Sequence, residues 1–127
     1  MSRSKFMRFI LTTCLVLGFT ANVNAQTEMP EKSVIEVVTL FLKKGISYTE
    51  FAPVDKAVGS ELVARQSGFI SRESAAGNNG EWLVIVHWRS LADADASMAS
   101  FSSAPAAQKF VSLIDPTTMV MKRYQAP

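Results

Sequence analysis

The single histidine of this chain is a candidate for acid–base chemistry. His87 lies between Val86 and Trp88, near the end of an apolar segment. A neutral imidazole in such a place can accept a proton or orient a ligand, so we predict His87 as a candidate catalytic base. The alternative is a core histidine that is hydrogen-bonded to the backbone or to a carboxylate. One histidine and one cysteine offer too few nitrogen and sulfur ligands for most transition-metal sites, so we predict no bound metal.

Glu36 is a carboxylate within a second apolar segment. Burying such a group is costly unless it is paired, so a charged partner is expected. Two interpretations remain open: a structural ion pair, which could also lie at the seam of a dimer, or a carboxylate poised for proton transfer. The charged residues on the other predicted strands that could face Glu36 are Arg72, Glu73, Arg89, Lys122 and Arg123.

Aromatic residues are numerous for so short a chain and could line an apolar ligand pocket. Trp88 ends one predicted strand beside the second predicted helix, and Tyr48 stands at the start of the first. We predict these two as substrate-positioning residues, with Glu36 or Arg72 steering charge; plain core packing is the alternative. Nucleophile-elbow, phosphate-loop and dinucleotide motifs do not occur in the sequence, so we predict no cofactor.

Hydrophobic periodicity and turn residues predict the order β-α-β-β-α-β, with a short additional helix before the last strand. Ser47 and Glu50 form a capping box at the first helix, and Gly77 to Gly80 is a turn between two strands. This order is that of the split β-α-β, ferredoxin-like α+β fold: a four-stranded antiparallel sheet with its helices on one face. The predicted strands are 33–43, 69–75, 81–89 and 117–124, and the predicted helices are 47–65, 91–101 and 106–113.

Two of the predicted strands are apolar on both faces. In the first, Val34, Val38, Leu40 and Leu42 share one face, and Ile35, Val37 and Phe41 share the other. In the third, one face carries Trp82, Val84, Val86 and Trp88, and the other carries Leu83 and Ile85. Strands of this kind are buried on both sides, and the chain has no further helix to cover the second side. We therefore predict a homodimer that packs sheet against sheet; cover by another protein is the alternative.

The N-terminus has the pattern of a secretory signal peptide. Arg3, Lys5 and Arg8 precede an apolar stretch that is short for a membrane span, and Val23-Asn24-Ala25 is suited to cleavage. We predict a signal peptide over 1–25, a flexible lead-in over 26–32 and one domain over 33–125, which is periplasmic or secreted and has no stable membrane anchor after cleavage. An uncleaved anchor and a lipoprotein through Cys14 are the alternatives.

Removal of this segment would change the charge and leave no cysteine. Ten basic and eleven acidic residues would remain, and no basic run or stripe suits a phosphate backbone. We therefore predict no nucleic-acid partner. Without cysteines the small domain cannot be stabilised by disulfides, which favours oligomerisation.

The chain resembles the dimeric α/β-barrel superfamily, in particular the antibiotic-biosynthesis-monooxygenase-like domains. The segments that carry the likeness are Val34–Leu42, Ser67–Arg72, Gly80–Trp88 and the Ala-rich helix that leads to Pro105. The resemblance implies this fold over residues 33–125. Proteins of the superfamily include cofactor-independent monooxygenases, haem-degrading enzymes, chlorite-processing enzymes and many with no known activity, so the resemblance does not by itself imply a reaction. Haem-degrading members place an Asn on the first strand and a His on the second helix. Neither residue is present at those places here, which argues against that reaction.

Three functions are compatible with these residues and this predicted fold. The first is an exported, cofactor-independent monooxygenase acting on a small aromatic or quinone-like compound, with His87 as proton acceptor and Trp88 and Tyr48 positioning the substrate. The second is a non-catalytic module that binds a small apolar or aromatic ligand in the same pocket. The third is a structural dimer without a pocket, so the presence or absence of a cavity between helices and sheet distinguishes it from the others.

Overall fold

The computed structural model describes residues 31–127. The predicted signal peptide, and all but the end of the predicted lead-in, lie outside the described residues. Within the described part, β-strands and helices follow the predicted order.

The sheet is four-stranded and antiparallel, with the strand order β2-β3-β1-β4. The central strands are β1, Val34–Leu42, and β3, Glu81–Trp88, and both are rich in the β-branched residues that suit a pleated surface. β2, Phe69–Ala76, and β4, Ile114–Gln125, form the two edges. The predicted α+β, ferredoxin-like arrangement is therefore confirmed.

The first helix, α1, spans Tyr48–Ala57 and begins with the predicted cap: the Ser47 hydroxyl accepts a hydrogen bond of 3.1 Å from the Glu50 backbone N–H. A single helix was predicted as far as Arg65. Instead, the chain widens into a π-helical turn at Val58–Leu62 and then tightens into a 3₁₀ turn at Val63–Arg65. The wide turn lies where the backbone at Gly59 packs on the Arg72 side chain, so closely that a Cβ on Gly59 would be 3.1 Å from Arg72 Nη1.

The helices α2, Leu91–Phe101, and α3, Pro105–Ser112, precede β4. β4 begins at Ile114, three residues earlier than predicted, so Asp115 and Pro116 belong to the strand. The pairing of β1 with β4 is irregular there, between Thr39 and Phe41. At this irregularity the Phe41 N–H donates a hydrogen bond of 2.9 Å to the hydroxyl of Thr118, two residues after Pro116.

The helices lie on one face of the sheet, which we call the inner face, and the main core lies between them. Val34, Leu40, Phe51, Trp88 and Ile114 are almost completely buried there. The opposite face, the open face, is apolar in its centre and only half-buried in the single chain. Among the described helices, none has the length and apolar character needed to cross a membrane.

Candidate functional site

A cavity of about 230 Å³ lies between the inner face of the sheet and the helices. Its walls are predominantly apolar, and a few polar side chains, Glu36, Arg72 and Ser97, reach it. This combination is typical of small-ligand sites. The apolar lining residues are Val38, Val84, Val86, Trp88, Met119 and Met121 from the sheet, and Val58, Val63, Met98, Phe101, Phe110 and Val111 from the helical segments.

α2 forms part of the cavity wall with residues of different size. Its buried residues are small, Ala94 and Ser97, and Ser97 lines the cavity. Two larger apolar residues of the helix, Met98 and Phe101, line the cavity as well, and Met98 is 40% exposed. Leu91 does not line it and is 44% exposed.

The charged residues of the cavity lie in one row across the sheet. On one side Val86 is paired with Arg72, and on the other side it is paired with Glu36, which in turn is paired with Arg123. Because side chains opposite one another in neighbouring strands point to the same face, all four point to the inner face. The sheet register thus brings two arginines and a glutamate beneath the helices.

Glu36 forms the ion pair that its burial requires. Its side chain is 7% exposed, and its Oε2 accepts a hydrogen bond of 2.8 Å from Arg123 Nε. The same arginine donates through Nη1 to Oδ1 of Asp95, an exposed residue of α2. Desolvation by itself would lower the pKa of Arg123, but the hydrogen bonds and charges of Glu36 and Asp95 outweigh it and raise the pKa above its ordinary value. Arg123 is therefore a permanent cation that ties β1 and β4 to α2.

Arg72 is held by a carboxylate that sequence reasoning did not single out. Asp55, on α1, is 2% exposed and accepts hydrogen bonds from Arg72 Nη2 at 2.6 Å and from Nη1 at 3.0 Å. The Ser74 hydroxyl adds a third bond to this carboxylate, at 2.6 Å. The signal in the sequence was the position of Asp55, four residues after Phe51 and three before Val58, on the apolar side of α1.

Of the two aromatic residues predicted to position a substrate, Trp88 lines the cavity and Tyr48 does not. Trp88 is 1% exposed and its ring lines the cavity. Its Nε1 is sealed from solvent and has no hydrogen-bond partner in residues 31–127. Tyr48, in contrast, does not reach the cavity: its hydroxyl donates to the Gly77 carbonyl and accepts from the Gly80 N–H, both at 2.9 Å. Tyr48 thus holds the β2–β3 turn.

His87 lies on the open face of the sheet and does not line the cavity. It alternates with Val86 and Trp88, which point inward, and its cross-strand neighbours are Ile35 on β1 and Ser71 on β2. The period of two along a strand therefore separates the imidazole from Glu36 and Arg72. Of the predicted site residues, the structure brings together Glu36, Arg72 and Trp88, and it places Tyr48 and His87 elsewhere.

Groups of three or more histidine, cysteine or carboxylate side chains that could hold a metal ion do not occur within residues 31–127. The carboxylates near the cavity are each engaged by an arginine.

The element order, the antiparallel sheet and the helices on one face define a ferredoxin-like α+β domain. No family model and no curated protein matches the sequence. Solved structures, however, match the fold over about three quarters of the chain, so the predicted resemblance is confirmed at the level of fold.

Among these structures is SnoaB, a cofactor-independent oxygenase from Streptomyces nogalater, with a TM-score of 0.62 and 18% identity over 76% of this chain and 94% of that one. A Bordetella bronchiseptica protein with the provisional name antibiotic biosynthesis monooxygenase has a TM-score of 0.61 and 12% identity, over 76% and 99% of the two chains. A dimeric ferredoxin-like protein of unknown function from Thermobifida fusca has a TM-score of 0.59 and 11% identity, over 76% and 92%. At these identities the likeness describes the fold.

Proposed function

We propose that this domain is an exported, homodimeric, cofactor-independent monooxygenase that acts on a small aromatic compound bound in the cavity between helices and sheet. The observation that carries the proposal is the cavity itself: an apolar chamber of about 230 Å³ with a few polar side chains at its wall. The presence of a cavity disfavours a purely structural dimer. The similarity in fold to a cofactor-independent oxygenase is consistent with the proposal.

The reaction must draw its electrons from the substrate. In the conversion of a phenol to a quinone by O₂, a ring C–H bond and the O–H bond break, and a new C=O bond forms with one oxygen atom of O₂. The other oxygen atom leaves as water, which takes both hydrogen atoms. The substrate supplies all four electrons, so no reduced cofactor is consumed. The protein would position the ring and exclude water, which are contributions that an apolar cavity can make.

The test uses 1-naphthol, an aromatic compound with one hydroxyl, and measures O₂ uptake together with the product. We expect one 1,4-naphthoquinone for each O₂ consumed, with label from ¹⁸O₂ in the quinone and no hydrogen peroxide. Val84→Trp, which fills the cavity from β3, should abolish turnover, whereas His87→Ala should leave it nearly unchanged because His87 lies outside the cavity. Turnover that survives Val84→Trp in a folded protein would contradict the proposal.

A non-catalytic ligand-binding module is the second candidate. It is favoured by the pairing of the buried charges: Glu36 is bound by Arg123, and Arg72 is bound by Asp55. Binding of 1-naphthol without O₂ uptake would support this candidate over the enzyme.

The localisation part of the proposal rests on the N-terminal sequence. Cleavage after Ala25 would release the domain outside the cytoplasm, where a reaction that needs no reduced cofactor is suitable. Mass spectrometry of the protein recovered from its native compartment tests this: a chain that begins at Gln26 is expected, and a chain that still carries Met1 would contradict it.

A further inference from the structure

We propose that the cavity selects a neutral ligand with one hydrogen-bond-donating group and rejects carboxylate anions, through a polar end formed by Glu36 and Ser97. The inference rests on the proposed function, because it takes the cavity as the ligand site, and it specifies the chemistry of that ligand. The two residues reach the cavity from opposite sides, Glu36 from β1 and Ser97 from α2.

Arg123 connects the two elements that carry Glu36 and Ser97. Arg123 binds Glu36 through Nε and Asp95 through Nη1. Asp95 precedes Ser97 by two residues on α2, which is about 3 Å of helix rise. The arginine thus holds this part of α2 above the carboxylate.

Both polar groups have hydrogen-bonding capacity left over. The ion pair with Arg123 uses Oε2 of Glu36, and no described residue donates to Oε1. Several serines in helical segments return their hydroxyls to the backbone: Ser60 donates to the Lys56 carbonyl, and Ser112 to that of Lys109. The Ser97 hydroxyl, in a residue that is 8% exposed, has no such bond within the described part of the chain. Neither oxygen is among the sealed, unpartnered atoms of residues 31–127, so each is open to water that a ligand hydroxyl can replace.

The Glu36 oxygen that no described residue binds sets the sign of the selection. The buried carboxylates Glu36 and Asp55 balance the guanidinium groups of Arg72 and Arg123, and Asp95 is 63% exposed and screened by water. Arg72, the cation that lines the cavity, is already held by both oxygens of Asp55. A carboxylate ligand would meet the uncommitted oxygen of Glu36 in an apolar chamber, where like charges repel strongly. A hydroxyl would instead donate to it.

The experiment compares three ligands of one ring system: 1-naphthol, 1-methoxynaphthalene and 1-naphthoate. Binding is measured by titration calorimetry without oxygen, so that turnover does not interfere. We expect 1-naphthol to bind at least about tenfold more tightly than either of the others, which corresponds to ~1.4 kcal/mol. The methyl ether removes the donated hydrogen, and the naphthoate adds the repelled charge.

Two variants assign the selection to the polar end. Glu36→Gln should reduce the discrimination against 1-naphthoate several-fold, because the carboxylate charge is removed while the shape is kept. Ser97→Ala should reduce the preference for 1-naphthol over its methyl ether. Ser112→Ala removes an exposed helix hydroxyl and is the control that should change neither ratio. Should Glu36→Gln fail to fold, the wild-type ligand series and Ser97→Ala still decide the matter.

The outcomes separate this inference from the proposed function. If 1-naphthoate binds as tightly as 1-naphthol, or if the methyl ether binds equally well, the polar end does not select as argued, and the cavity remains a ligand site. If none of the three ligands binds, the proposed function fails and the inference fails with it.

Discussion

Two buried or half-buried arginines organise the charged groups of this domain, and their partner carboxylates differ sharply in exposure. Asp55 is 2% exposed and binds Arg72, whereas the side chain of Asp95 is 63% exposed and binds Arg123. A buried ion pair that loses one partner leaves an uncompensated charge, while an exposed pair is screened by water. These two aspartates therefore form a natural comparison.

We expect Asp55→Asn to lower the free energy of unfolding by about 3–5 kcal/mol, because the Arg72 guanidinium, 9% exposed, would lose its bidentate acceptor. The amide keeps the size of the side chain, so the change reports on charge and hydrogen bonding. Urea unfolding followed by tryptophan fluorescence measures it. Asp95→Asn is the matched control, with an expected cost of about 0–1 kcal/mol. Similar losses for both variants would show that burial does not set the strength of these pairs.

At the residue scale, the sequence predicted that Glu36 needs a partner but not which one. Four basic residues, Arg72, Arg89, Lys122 and Arg123, were equally eligible, because choosing among them requires the strand order and register. Asp55 was overlooked since an aspartate in a helix is normally solvated. The face of His87 was undetermined because β3 is apolar on both faces, so alternation did not distinguish inside from outside.

At the scale of the element, α2 differs from the other helices in the size of the side chains that it buries. Its buried residues are Ala94 and Ser97, whereas α1 buries Phe51 and Asp55, and α3 buries Phe110 besides Ala107. Small side chains over a cavity provide few packing contacts, and regions of this kind open locally at low free-energy cost. α2 is therefore the expected mobile wall of the cavity.

We predict that the backbone amides of α2 exchange with deuterium faster than those of α1, and that 1-naphthol slows the exchange of α2 selectively. The ligand would fill the cavity and contact the α2 residues that line it, Ser97, Met98 and Phe101. Hydrogen–deuterium exchange measured by mass spectrometry, with and without ligand, tests this. Equal protection of α1 and α2 in the free protein would contradict the assignment of α2 as the mobile wall.

Element boundaries were predictable where side-chain pattern alone decides them. The central strands β1 and β3 follow from β-branched runs, and the start of α1 follows from Ser47. A serine caps α2 in the same way: the Ser90 hydroxyl accepts a hydrogen bond of 3.1 Å from the Asp93 N–H. The π-helical turn at Val58–Leu62 could not be predicted, because it accompanies a contact with Arg72 from another element. The first part of β4 likewise includes a contact with a residue distant in sequence: the Phe41 N–H donates a hydrogen bond to the Thr118 hydroxyl.

At the scale of the whole molecule, the open face of the sheet is an uncovered apolar surface of the single chain. Ile35, Val37, Leu83 and Ile85 are only half-buried there, and Phe41, Val120 and Tyr124 at its sides are 39%, 49% and 53% exposed. An apolar surface that is continuous over three strands is unusual in a monomer. A dimeric protein of the same fold is consistent with a second copy as its cover.

The homodimer leads to a prediction about Ile85, which lies between Val37 and Glu73 in the sheet pairing and points to the open face. Light scattering should give twice the single-chain mass for the wild-type domain. Ile85→Glu should give the single-chain mass, because a charge in the centre of a sheet–sheet interface would be buried without a partner. Leu91→Glu, which places the same charge on an exposed apolar residue of α2, should leave the dimer intact. A single-chain mass for the wild type would contradict the dimer, and the open face would then need a different partner; a persistent dimer in Ile85→Glu would place the interface on another surface.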